Sequence, residues 1–130
     1  MPTVLDLTSE ERQHYVAALR ARMTRQSKPL SAADRKVRED LLSVVSQVAS
    51  QIKLRFGATR VVLFGSLAHE AWFWPESDVD LAVEGLDSTS YWEAWRLAEQ
   101  IIHGRNVDMV EIESARPALK RAIERYGVEL

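Results

Sequence analysis

The chain has 130 residues, of which 46% are hydrophobic and 28% charged, and its formal net charge is −2. A chain of this length can bury one sizeable core, and nothing in the composition indicates a second domain. The absence of cysteine excludes disulfides and thiolate metal sites, but not metal sites built from oxygen ligands. No apolar run approaches the roughly 20 residues that span a bilayer, and the N-terminus lacks a secretory signal pattern, so we expect a cytoplasmic protein without a membrane partner.

Helical signals fill the first 57 residues. Thr8 and Glu11 form a capping box for a first helix, which the apolar spacing continues to Met23. Ser31 opens a second, longer helix, and Gly57 marks its end. The apolar residues of this second helix recur on one stripe, which consists of Val37, Leu41, Val44, Val45, Val48 and Ile52. The sequence therefore predicts an N-terminal helical extension over residues 1–57.

Charge is unevenly distributed between part of this extension and the rest of the chain. Residues 12–38 contain eight basic residues and one acid, Asp34, which gives about +7 against about −9 for the remainder. Two interpretations stay open: basic side chains solvated on helix faces, or a surface for an acidic partner or RNA. Tyr15 is the only aromatic residue in this stretch, so we do not expect nucleic acid as the main partner.

Short apolar strands and helices alternate over residues 58–130. Helix caps, glycine stops and the spacing of apolar residues locate each of them. The predicted elements are strands at residues 60–64, 78–84 and 106–112, a helix capped by Ser90 and Glu93 that ends at Gly104, and a last helix that follows Ser114 and ends at Gly127. The pattern predicts an α/β or α+β fold in which helices cover a small three-stranded sheet.

A glycine and a serine, Gly65 and Ser66, follow the first strand directly. Because glycine has no side chain, backbone N–H groups of a tight turn can approach a phosphate there, and the Ser66 hydroxyl adds a donor. The same pair ends many strands as an ordinary turn, so by itself it does not specify a phosphate site.

Three aspartates accompany the other two strands. Alternate side chains of an extended segment share a face, so Asp78 and Asp80 project together while Val79 faces the core. Two carboxylates this close are unfavourable unless a cation neutralises them, and oxygen ligands suit magnesium or manganese. Asp108 supplies a further acid in the third strand. Exposed acids at a strand start are common, so only the combination of motifs favours a metal site over a solvated surface.

Three adjacent aromatic residues, Trp72, Phe73 and Trp74, lie in the loop before the second strand. They are consistent with packing back onto the fold, with anchoring a partner protein, or with stacking against a purine base. His69 in the same loop is a candidate phosphate contact.

The order of these motifs resembles the nucleotidyltransferase superfamily that includes polymerase beta, and most closely its minimal nucleotidyltransferases. The resemblance covers about residues 60–130, and Gly65, Ser66, Asp78, Asp80 and Asp108 carry it. The residues at 67–70 include no arginine, although relatives often carry one there, so Arg60 is considered as a source of compensating charge. We expect a single domain over residues 1–130, and the resemblance implies that residues 58–130 are its catalytic core.

The same resemblance implies a function and its site. Asp78, Asp80 and Asp108 would be catalytic and would bind two magnesium ions, while Gly65 and Ser66 would hold the triphosphate of ATP. Many small relatives are antitoxins that adenylylate a tyrosine of a HEPN-type ribonuclease toxin, so we expect such a toxin as partner in a hetero-oligomer. The alternatives are an antitoxin that acts by binding alone, and a nucleotidyltransferase for a small molecule or an RNA end.

Overall fold

A computed structural model describes residues 30–130, and the predicted first helix lies outside them. The described chain begins with a long helix and continues through four strands and two further helices, with short 3₁₀ turns between them. In chain order these are α1 (Ala32–Phe56), β1 (Arg60–Phe64), β2 (Val79–Glu84), α2 (Ser88–Ile101), β3 (Val107–Glu111), α3 (Pro117–Tyr126) and β4 (Val128–Glu129). The mixed α/β architecture confirms the predicted fold class.

Local signals set both ends of α1, as the sequence predicted. The Ser31 hydroxyl accepts a hydrogen bond from the Asp34 N–H at 3.0 Å, which satisfies a backbone donor of the first turn. At the other end Gly57 has φ of 77°, and its N–H donates to the Lys53 carbonyl at 3.1 Å. Only glycine adopts this left-handed conformation readily, so the helix stops there.

The sheet has four strands in the order β3-β2-β1-β4, whereas three were predicted. Strand β4 is two residues long, too short to leave a periodic signal, and it pairs antiparallel with β1. Beyond it, the Leu130 N–H donates to the Val61 carbonyl at 2.9 Å. Strands β1 and β2 are antiparallel, and β2 and β3 are parallel with α2 as their crossover.

Helices cover both faces of the sheet. The larger core lies between the sheet and helices α1 and α2, and there Val79, Leu81 and Val83 are buried as predicted. The opposite face is also apolar and packs against α3, which was not predicted. This second core consists of Val62, Phe64, Ala82, Ile112, Leu119 and Ile123. Side chains on the α3 face therefore reach solvent only where α3 does not cover the strands.

Helix α2 begins earlier than predicted. Asp87, rather than Ser90, is its N-cap, because the Asp87 carboxylate accepts a hydrogen bond from the Ser90 N–H at 2.7 Å. Aspartate and serine are both favoured N-caps, so residue type alone does not decide between these two positions. This backbone hydrogen bond, together with that from the Ser90 hydroxyl, lowers the pKa of the Asp87 carboxyl.

Aromatic side chains from α2 cover the outer edge of β3, which is the edge strand of the sheet. Trp95 Nε1 donates to the Val107 carbonyl at 2.8 Å, and the Tyr91 hydroxyl donates to the Met109 carbonyl at 2.5 Å. These two carbonyls alternate along the strand with those that face β2. The outward carbonyls of Val107 and Met109 are thus hydrogen-bonded within the domain.

Over residues 30–130, no helix combines the length and the apolar character that crossing a membrane requires.

Candidate functional site

Two of the predicted site aspartates lie side by side on the sheet. In the parallel ladder of β2 and β3, Asp80 is paired in register with Asp108, and across β1 Asp80 is paired with Phe64. Residues paired in register point to the same face, which here is the α3 face. Because adjacent strands are roughly 4.8 Å apart, the two carboxylates are within reach of a shared cation.

The two aspartates differ in their exposure. Asp80 is buried, at 3% relative exposure, while Asp108 is half-buried. Asp80 Oδ1 is enclosed and accepts no hydrogen bond from residues 30–130, although the residue does interact with its surroundings. Keeping a largely desolvated carboxylate ionised beside a second carboxylate costs more electrostatic free energy than keeping either one ionised alone.

Gly65 forms the wall of the site next to Asp80. Its φ of 77° and ψ of −161° belong to a region that is essentially restricted to glycine. A β-carbon added at Gly65 would overlap Asp80 Oδ2 and would lie 3.1 Å from its Cγ. Glycine is therefore required twice, by the backbone conformation and by the space that the Asp80 carboxylate fills.

Ser66, the second predicted phosphate-binding residue, follows this turn and is buried. It opens a 3₁₀ turn, Ser66–Ala68, in which the Ala68 N–H donates to the Gly65 carbonyl at 3.2 Å. The turn directly follows the row of Phe64, Asp80 and Asp108. A nucleotide phosphate held by this turn would lie next to the paired carboxylates.

Asp78, the third predicted metal ligand, precedes β2 and is half-buried, outside the β2–β3 ladder. Among residues 30–130, no three His, Cys, Asp or Glu side chains are grouped so that they could hold a metal ion. The structure therefore places Asp80 and Asp108 together but does not present three aspartates as a ready-made metal centre. The three-ligand site stays a prediction.

Hydrogen bonds fix the starts of β2 and β3 to each other. The Val79 N–H donates to the Asn106 carbonyl at 3.0 Å, and Arg105 Nη1 donates to the Ser77 carbonyl at 2.7 Å. The Arg105 guanidinium also lies over the Phe73 ring, 5.9 Å from its centroid. These contacts hold together the starts of the two strands that carry Asp80 and Asp108. The sequence did not indicate Arg105, because its partners are distant in sequence.

The aromatic loop packs back onto the fold, as the first of its three interpretations proposed. Phe73 is fully buried, and Trp72 makes an edge contact with Tyr126 at 5.4 Å between ring centroids. The His69 ring centroid lies 4.5 Å from that of Trp72, and His69 Nε2 lies 2.6 Å from the Tyr126 carbonyl oxygen. The imidazole is therefore engaged with the end of α3, and the structure gives no support to His69 as a phosphate contact.

Arg60 does not supply charge to the site. It begins β1, at the opposite end of the strand from Gly65. Its guanidinium lies 2.6 Å from Glu129, 3.0 Å from Glu124 and 3.7 Å from Glu84. Hydrogen bonds to Glu124 and Glu129 raise the pKa of Arg60, so this side chain is a fixed ion-pair centre at the far end of the sheet.

A different arginine reaches the loop after Gly65. Arg38 on α1 donates through Nε to the Leu67 carbonyl at 3.3 Å, 29 residues away in sequence. Nearby, Arg35 forms an ion pair with Glu70 at 2.9 Å. Both arginines belong to the basic segment of residues 12–38, but neither interpretation of that segment included a contact with this loop.

The fold is that of a nucleotidyltransferase domain of the polymerase beta type. Residues 46–130 match the family described as polymerase beta, nucleotidyltransferase, and the chain belongs to that family. No curated protein matches the chain. A crystal structure described as a mutant of the toxin–antitoxin MntA–HpeT is 21% identical, over 71% of this chain and 70% of that chain, with a TM-score of 0.46. This likeness is too low to assign a function.

Proposed function

We propose that the protein transfers AMP from ATP to a hydroxyl group of a partner protein. The observation that carries this proposal is the in-register pair Asp80 and Asp108 beside the glycine-only turn at Gly65. Carboxylates next to a phosphate-binding turn are the arrangement that phosphoryl transfer requires. In the reaction, the acceptor oxygen bonds to the α-phosphorus while the bond to pyrophosphate breaks in line, pyrophosphate leaves, and the hydroxyl proton passes to solvent water.

The chain's own residues have separate parts in this proposal. Backbone N–H groups after Gly65 and the Ser66 hydroxyl hold the triphosphate, and the turn fixes its position against β2. Asp80 and Asp108, with Asp78 as a third ligand, would hold magnesium, whose preference for carboxylate oxygens these residues fit. Bound magnesium would neutralise phosphate charge and favour the ionised acceptor hydroxyl.

The proposed partner is a HEPN-type toxin, which the protein would neutralise as an antitoxin by adenylylating one of its tyrosines. The support is the resemblance of the Gly65, Asp78–Asp80 and Asp108 motifs to the minimal nucleotidyltransferases, together with membership of the family. Fold and family determine the reaction class better than the acceptor, so the acceptor needs its own experiment.

The experiment uses ATP labelled at the α-phosphate, magnesium and a HEPN-type toxin as acceptor. We expect label on the toxin with the unaltered protein, and a loss of at least about 100-fold with Asp80→Asn, which keeps the side-chain shape but removes its charge. Glu76→Gln is the matched control, because Glu76 is an exposed acid in the loop just before β2. Equal labelling by Asp80→Asn would contradict the assignment of the site.

A second candidate function is neutralisation by binding alone. The observation that favours it is that residues 65–78 contain no lysine or arginine, so the loop itself contributes no positive charge to a triphosphate. The same variants separate the two functions. If Asp80→Asn protects cells from the toxin as well as the unaltered protein does, binding is sufficient; if protection is lost while the complex still forms, transfer is required.

A further inference from the structure

The positive charge for a triphosphate must come from outside the loop that holds it. Residues 65–78 contain no basic residue other than His69, but they contain the acids Glu70, Glu76 and Asp78. A triphosphate carries three to four negative charges, which in proteins are commonly met by arginine, lysine or metal. His69 is turned to the Tyr126 carbonyl.

Within residues 30–130, three arginines contact the loop from other elements. Arg35 is occupied by its ion pair with Glu70, and Arg105 lies at the far end of the loop, on the Ser77 carbonyl and the Phe73 ring. Arg38 reaches the opposite end, where its Nε holds the carbonyl of Leu67, the residue after Ser66. Its guanidinium carries four further N–H donors.

We infer that Arg38 is a nucleotide-contacting residue that brings a positive charge from α1 to the β- and γ-phosphates held at Gly65 and Ser66. This inference rests on the proposed function and deepens it by naming the cation of the triphosphate subsite. The Nε contact with Leu67 positions the guanidinium, so little side-chain entropy is lost when phosphate binds.

The surroundings of Arg38 are consistent with a role in binding phosphate. The side chain is half-buried, so its charge is screened by solvent less than that of an exposed arginine. Burial lowers the pKa of Arg38, and the nearby charge of Glu70 opposes that shift. The charge of Glu39 opposes the shift as well, while Glu70 already pairs with Arg35.

The test compares the affinities of ATP and AMP, with magnesium, for Arg38→Met and for the unaltered protein. Both ligands share the adenosine and the α-phosphate, but only ATP has the phosphates that Arg38 would contact. We expect the ATP dissociation constant to rise about 10- to 100-fold and that of AMP to change less than about twofold. Arg38→Lys should recover part of the ATP affinity, because it keeps the charge but loses the planar fork.

The control is Lys36→Met, which removes the same charge from the same helix at a side chain paired with Asp40. It should leave both affinities unchanged. If Arg38→Met weakens ATP and AMP equally, or if Arg38→Lys behaves like Arg38→Met while both stay folded by circular dichroism, Arg38 only shapes the loop and the inference is wrong. That result would leave the proposed function intact. Failure of the unaltered protein to bind ATP would instead contradict both the proposed function and the role of Arg38.

Discussion

Asp80 and Asp108 face the same side of the sheet because parallel strands β2 and β3 pair them directly in register. Two positions that lie 28 residues apart in sequence thus become neighbours through one crossover helix. Exchanging one of them for its amide should remove a proposed metal ligand with little change in shape. The first prediction follows from this relationship.

Asp108→Asn should reduce AMP transfer by at least about 100-fold, because the amide is a poorer ligand for magnesium than the carboxylate. Initial rates with labelled ATP measure this. The matched control is Glu111→Gln on the same strand, whose side chain points to the opposite face. An Asp108→Asn protein with normal rates would show that the β3 carboxylate has no part in the reaction.

Gly65→Ala should destabilise the fold by more than about 2 kcal/mol, since left-handed backbone strain adds to overlap with the Asp80 carboxylate. Gly104→Ala is the control, because Gly104 also has φ of 77° but a β-carbon there would meet nothing within 4 Å. It should cost about 1–2 kcal/mol from strain alone. Urea unfolding of both variants measures the difference, and equal losses would mean that Asp80 can move away without cost.

Val79→Asp should cost several kcal/mol, on the order of the penalty for an unpaired buried carboxylate. Val79 is fully buried between the sheet and helices α1 and α2. The same exchange at Val37, which is 40% exposed on α1, should cost less than about 1 kcal/mol. Thermal melts measure both, and similar melting temperatures would contradict the orientation of β2.

Trp95→Phe should lower the free energy of unfolding by about 1 kcal/mol, because it removes the hydrogen bond to the Val107 carbonyl while keeping an aromatic ring. Faster amide exchange in β3 should accompany the loss. Trp92→Phe is the comparison, since Trp92 is 61% exposed and stacks on Trp95. A larger effect at position 92 than at 95 would rule out the edge hydrogen bond as the cause.

Asp87 should make stability depend on pH in the acidic range. Its pKa is lowered in the folded state, so its contribution is complete above the unfolded pKa of about 3.9. The contribution is lost as pH falls through the lower, folded pKa. Asp87→Asn keeps a good cap without a charge, and its melting temperature should fall less between pH 5 and pH 2. If the melting temperatures of the two proteins fell by the same amount over this pH range, Asp87 would not be a source of the pH dependence.

The sequence predicted the elements with strong local signals. The bounds of β1 agree with the structure, Ser31 and Gly57 delimit α1, and the alternation of β2 placed Val79 in the core. The order of Gly65, Asp80 and Asp108 was enough to indicate the family.

What the sequence did not predict depends on contacts between distant residues. Strand β4 forms only because β1 offers an unpaired edge to two residues after Gly127. The contact of Arg38 with Leu67 and that of His69 with Tyr126 arise from helix packing, so neither has a local pattern. The second apolar face was missed because Asp80 interrupts it, and its burial is visible only once α3 is in place.

The aromatic cover on β3 limits how another protein can attach to this domain. An incoming strand would have to displace the indole of Trp95 and the phenol of Tyr91 before it reached the carbonyls of Val107 and Met109. Extending the sheet at this side is therefore disfavoured, which also protects the domain from edge-to-edge aggregation. The half of the sheet that carries Asp108 is therefore not available for pairing with an added strand.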